Sequence, residues 1–218
     1  MISDGTLYAI NLILSLMVAF IISFLGKGKM QLIHKFYLLL SGSLGLWFLA
    51  ILGMRYVPQG REDLLFAMDA ISCVSATGVT VSMVLIAGVF TKNYTTMPKK
   101  YILLFIPPIV TSLIVITNPL HHLFYRHFSI LSSEVQFGPL FFLSGSQYYI
   151  FSITAIVMTL RYGLKSKHPL HLRQALVFSV GIAIPIAVNF LATMKILNLS
   201  IAATPIAFSA TILCHGIA

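Results

Sequence analysis

Seven stretches of the chain are almost wholly apolar, and polar segments separate them: Gly5–Leu25, His34–Val57, Leu64–Phe90, Tyr101–Thr117, Pro139–Tyr162, Leu170–Met194 and Leu199–Ala218. A helix needs about 20 mostly apolar residues to cross roughly 30 Å of hydrocarbon. Each stretch therefore predicts one membrane-spanning helix. The expected fold is an all-α membrane protein, a bundle of seven transmembrane helices forming a single domain over residues 1–218. The third stretch is long enough to tilt or to project beyond the bilayer. Connections are short except Asn118–Gly138, which gathers aromatic residues and histidines.

Some positions within the stretches shape the helices. Pro107-Pro108 is expected to break the hydrogen-bond ladder of the fourth span, and Pro185 that of the sixth. Gly42, Gly45, Gly78, Gly88 and Gly181 suit close helix contact. Pro185 followed by Asn189 reads as a hinge, because the Asn amide can bond a carbonyl that the proline leaves free. Pro205 is a second hinge position.

Charge sets the orientation, since cytoplasmic loops carry an excess of Lys and Arg. Lys27, Lys29, Lys35, Lys92, Lys99, Lys100, Arg161, Lys165, Lys167 and Arg173 fall in or beside the first, third and fifth loops. Arg55, Arg61, Arg126 and Lys195 fall on the other side, with all five acids on or close to it. An odd number of spans then puts the N-terminus outside and the C-terminus in the cytoplasm. The net charge of +9 is accounted for in this way, so no nucleic-acid partner is implied.

Composition agrees. Of the 218 residues, 58% are hydrophobic and 9% charged, with a mean hydropathy of +0.96. A soluble domain carries about 25% charged residues. The partner that covers this surface is the lipid bilayer, and the expected location is multi-pass in the plasma membrane. The first helix is read as retained: residues 1–6 hold no Lys or Arg, whereas a signal peptide begins with a basic segment. Cys73 and Cys214 lie inside apolar stretches and are expected to stay reduced.

Asp69 is the acid set well inside a span, and an intramembrane carboxylate marks function by default. Two readings stay open: an ion pair with Arg55, or contact with a ligand or ion. His121, His122 and His127 suggest an outer polar lid rather than a metal site, because adjacent histidines rarely converge on one ion. Asn118, Gln147, Tyr148, Tyr149, Asn189 and Thr204 lie near the outer ends or middles of spans. They either bond across helices, as buried polar groups must, or line a pocket with Asp69. The candidate ligand-binding set is Asp69, Asn118, His121, His122, Gln147, Tyr148, Asn189 and Thr204.

The chain carries no phosphate loop, H-E-x-x-H or G-x-S-x-G string and no paired intramembrane acids. No catalytic residue, cofactor or metal is expected. The seventh stretch has no lysine for a retinal Schiff base.

Four strings carry a resemblance. Thr117-Asn118-Pro119-Leu120-His121-His122-Leu123-Phe124 closes the fourth span, and Phe137-Gly138-Pro139-Leu140-Phe141-Phe142 opens the fifth. Arg173-Gln174-Ala175-Leu176, with Gly181, Pro185 and Asn189, runs through the sixth. Thr204-Pro205-Ile206-Ala207-Phe208 opens the seventh. In this order they resemble the N-terminal seven-transmembrane sensor region of bacterial histidine kinases, which also precedes diguanylate cyclases. The chain departs from that pattern at Ala202, where the family often has an acid, and at Ser144, where a His is common.

The resemblance implies a receptor module without catalysis of its own, responding to an extracellular or membrane-borne small ligand or peptide. It implies transmission through the seventh helix into an output domain beyond Ala218, and a homodimer formed through the full-length protein. A small-solute or ion transporter or channel is the rival reading; against it, no internal repeat is visible.

Overall fold

The computed structural model describes residues 4–25, 31–58, 60–128, 135–193, 196, 203, 206–208, 210, 211 and 214. Most of them are helical. Helix α1 spans Asp4–Leu25, α2 Leu32–Met54 and α3 Glu62–Lys92. The fourth stretch is a 3-10 helix, Lys99–Phe105, running into α4, Ile106–Ile116. A single turn, α5 (Asn118–His121), and two short antiparallel strands, β1 (Tyr125–His127) and β2 (Gln136–Phe137), fill the long connection. Then come α6, Phe141–Lys165, and α7, Pro169–Thr193.

Among the described residues, five helical stretches are long and apolar enough to cross a membrane: Leu32–Met54, Glu62–Lys92, Lys99–Ile116, Phe141–Lys165 and Pro169–Leu191. Helix α1, 22 residues long, coincides with the first expected stretch, and Ala9–Ala19 is the apolar run within it among the described residues. Of the seventh, Ala203, Ile206, Ala207, Phe208, Ala210, Thr211 and Cys214 are described, and all are helical. The second hinge position, Pro205, and the candidate ligand residue Thr204 lie outside the described residues.

The paired prolines correct one expectation. Pro107 and Pro108 sit in the first turn of α4, where backbone N–H groups have no intrahelical partner to lose. They open this helix after a 3-10 segment; they do not break it midway. Pro185 does lie inside its helix.

Helix α3 is the centre of the bundle, packed against α2, α4 and α6. Its Val79, Val81, Met83, Leu85 and Ile86 join Leu40, Leu44 and Phe48 of α2, Phe151 of α6, and Phe178 and Ile182 of α7 in one core. Phe208 from the last stretch completes it. The buried hydroxyls of α3 bond to carbonyls of their own helix: Ser75 to Ile71 at 2.7 Å, Thr80 to Thr77 at 2.9 Å, Ser82 to Gly78 at 2.6 Å. A small polar side chain can then face a neighbouring helix with its donor satisfied. A Cβ on Gly78 would come within 2.5 Å of the Ser43 hydroxyl, and one on Gly163 within 2.6 Å of the Ala175 methyl. Gly42 meets nothing within 4 Å, so the close contact expected there is absent.

Candidate sensory site

The long connection after α4 is built by its own polar side chains. α4 ends at Ile116, and Pro119 in the first turn of α5 restarts the helix for four residues. His122 then takes a left-handed conformation (φ 54°) and turns the chain back. Asn118, 4% exposed, holds the returning strand: its Oδ1 accepts the backbone N–H groups of Phe124 at 2.8 Å and Tyr125 at 3.0 Å. Its Nδ2 donates to the Tyr125 carbonyl at 3.2 Å. His121 works alongside, with Nδ1 accepting the Leu123 N–H at 2.9 Å and Nε2 lying 3.1 Å from the Thr117 hydroxyl.

The far end of the connection closes on the same turn. Gly138 N–H donates to the Phe124 carbonyl at 2.7 Å, and Leu140 N–H to that of Leu123 at 3.0 Å. A Cβ at Gly138 would overlap the Leu123 carbonyl, so only glycine allows this approach. Around the clasp, Phe124, Tyr125, Phe128, Phe137 and Phe141 pack as an aromatic cluster, with Phe137 and Phe141 stacked 3.8 Å apart.

Tyr125 leads from this loop into the bundle. Its ring is buried, and its hydroxyl faces Asp69 and Cys73 of α3. The same hydroxyl lies 3.9 Å from the Cys73 thiol, which in turn lies 3.9 Å from Asp69 Oδ2. Burial, helped by the neighbouring Cys73 and Asp69, pushes the Tyr125 phenol well above the ordinary tyrosine range. It therefore stays a proton donor at physiological pH. Among the described residues Asp69 Oδ2 thus meets the Cys73 thiol, with Tyr125 beside it; Arg55, its partner in one of the two open readings, sits exposed at the C-terminal end of α2.

The remaining candidates are distributed through the helices. Gln147 is buried on α6, and its Oε1 lies 2.9 Å from the Thr111 hydroxyl of α4. Tyr148 packs edge-on against Tyr149 and against Phe208 of the last stretch. Asn189 accepts the Tyr149 hydroxyl at 2.8 Å. It does not reach the carbonyl that Pro185 frees. That carbonyl belongs to Gly181, two helical turns or about 12 Å away along α7. His122 and His127 are exposed. The structure therefore places Asp69, Asn118 and His121 in one unit at the loop end of the bundle, and sets Gln147, Tyr148 and Asn189 in interhelical contacts.

Two members of this unit, Tyr125 and Cys73, were not among the sequence candidates. Cys73 was within reach of inference, since residues four apart share one helix face and Asp69 precedes it by four. Tyr125 carries no comparable signal, because its contact with Cys73 spans 52 residues and depends on a loop built by hydrogen bonds.

A model of the N-terminal 7TM region of histidine kinase matches residues 7–218. The chain belongs to that family. No curated protein and no solved structure matches it. The resemblance carried by the four strings is borne out, and the geometry gives it physical content. In this histidine kinase region the first two strings are the two halves of a single clasp, Asn118 and His121 on one side and Gly138 on the other. The third packs Ala175 onto Gly163, bringing α6 and α7 close together. The fourth supplies Phe208, fully buried against Trp47 and Tyr148.

Proposed function

We propose that this chain is the sensory region of a histidine kinase or a related signalling protein, multi-pass in the plasma membrane, with its N-terminus outside and its C-terminus in the cytoplasm. A small ligand or peptide, arriving from outside or through the lipid, acts on the outer unit around the aromatic clasp. The response leaves through the last helix to an output domain that works as a dimer.

The observation that carries this reading is the Cys73 thiol of α3, which lies 3.9 Å from the Tyr125 hydroxyl and donates to Asp69 Oδ2 at 3.9 Å. Residues of the outer connection are tied by it to α3, the central helix. A cue that displaces the clasp changes what Cys73 is bonded to, and so changes the packing of α3 against α2 and α6. Binding must favour one arrangement over the other for any signal to pass. Asn118 contributes by fixing the backbone from which Tyr125 reaches inward.

The test uses the full-length protein in membrane vesicles with its output activity measured directly. Tyr125→Phe keeps the ring and removes the hydroxyl. The basal output should shift by roughly 2- to 12-fold, the equivalent of one net hydrogen bond of about 0.5–1.5 kcal/mol. Tyr56→Phe, at an outer tyrosine that is 79% exposed, should leave it unchanged. A Tyr125→Phe protein that folds and signals like the parent would overturn the reading.

A further inference from the structure

Pro185 stands inside α7 and has no backbone N–H. The carbonyl one turn earlier, that of Gly181, is thereby left without its helical donor. In hydrocarbon no water is at hand to replace it. The structure supplies a replacement from another part of the chain: the Thr211 hydroxyl donates to the Gly181 carbonyl at 2.6 Å. Thr211 is helical and fully buried, 30 residues further along.

One helical turn before Thr211 on the same stretch, Phe208 is also fully buried, packed on Trp47 of α2 and Tyr148 of α6. One turn beyond Pro185 on α7, Asn189 accepts the hydroxyl of Tyr149, the neighbour of Tyr148. The proline interruption is thus bonded on one side to the last stretch and on the other to α6.

We propose that Thr211 is the positioning residue that makes the last stretch move with α7: its hydroxyl fills the place of the amide that Pro185 lacks. Any change in the bend of α7 at Pro185 displaces the Gly181 carbonyl, and the bond carries that displacement to Thr211. This rests on the reading above that the response leaves through the last helix, but the bond itself can be tested without that reading.

The first arm uses the chain reconstituted in lipid nanodiscs with its glycine carbonyls isotopically labelled, and takes infrared difference spectra between variants. Thr211→Val should move one glycine carbonyl band to higher frequency, and Thr211→Ser should leave it in place. In a Pro185→Ala background residue 185 donates to Gly181 again, so Thr211→Val should move the band little. A Thr211→Val shift that is absent in the parent, or of equal size in both backgrounds, overturns the bond.

The second arm measures output of the full-length protein. Thr211→Val should change basal output about 3-fold, the equivalent of an average interhelical hydrogen bond in a membrane, and should change nothing once Pro185 is alanine. A residue that only fills space would give the same effect in both backgrounds. If the band shifts while output does not, the transmission role is refuted. If Tyr125→Phe is silent as well, the sensor reading has failed with it.

Discussion

Helix α3 and the helical stretch Lys99–Ile116, which contains α4, have windows of similar mean hydropathy, 2.0 and 1.7, yet they occupy opposite environments. The most apolar window of α3 is 72% buried within the bundle, and that of the helical stretch containing α4 is 17% buried. The difference lies in the minority residues. α3 carries Ser72, Ser75, Thr77, Thr80 and Ser82, small hydroxyls bonded to carbonyls of their own helix, and Gly78 pressed on Ser43. α4 presents Ile109, Leu113 and Ile116, each more than half exposed. In a membrane, lipid is as apolar as leucine, so burial is set by how closely backbones can approach and not by hydrophobicity. Hydropathy finds a span. Small and hydroxylated residues show which span is central.

The largest expected effect that probes this contrast is at Met83 of α3, which is fully buried in the core. Met83→Ala should destabilise the folded chain by about 2–5 kcal/mol, measured by reversible denaturation in mixed micelles. A value near zero would mean that α3 is not the central helix. Next comes the one polar link by which α4 holds α6, the Thr111–Gln147 pair. Thr111→Val should cost about 0.6–1.7 kcal/mol, with a double-mutant cycle against Gln147→Leu returning most of it as coupling. The smallest effect is at Leu113, which is 56% exposed on α4. Leu113→Ala should stay within about 0.5 kcal/mol. A cost as large as that at Met83 would show α4 covered by protein, and would turn this face from a lipid surface into an interface between copies of the chain.

The same contrast explains how much could be read in advance. The second, third, fifth and sixth spans are legible because each is one uninterrupted apolar stretch and one helix. The fourth misled at Pro107-Pro108: a proline pair in a run of apolar residues looks the same whether it breaks a helix or begins one. What decides is the 3-10 segment before it. The outer connection was legible as a loop rich in unusual residues, but not as a structure, since strands of three and two residues leave no periodicity to read.

The candidate site was half legible. Asp69, Asn118 and His121 stand out by type and position, and the structure brings all three into the unit around the clasp. Their tasks were hidden. Asn118 uses its carbonyl oxygen and its amide on backbone partners, and both ring nitrogens of His121 are engaged nearby. A sequence shows which side chains are polar; it does not show which are already bonded to the chain itself. Thr211 makes the same point from the other direction, since a lone threonine in an apolar run gives no sign that it answers a proline 26 positions earlier.

The clasp at Gly138 also defines a unit of exchange. Leu123 and Gly138 touch so closely that neither flank of the loop can be replaced without the other. A chimera that takes its outer loop from a relative must therefore carry the stretch from Thr117 to Phe141 whole. Grafts cut inside it would lose the clasp and, with it, the reach of Tyr125 to α3. Lengthening the chain between His127 and Gln136 alters neither Leu123 nor Gly138, so an insertion in that interval leaves the clasp intact.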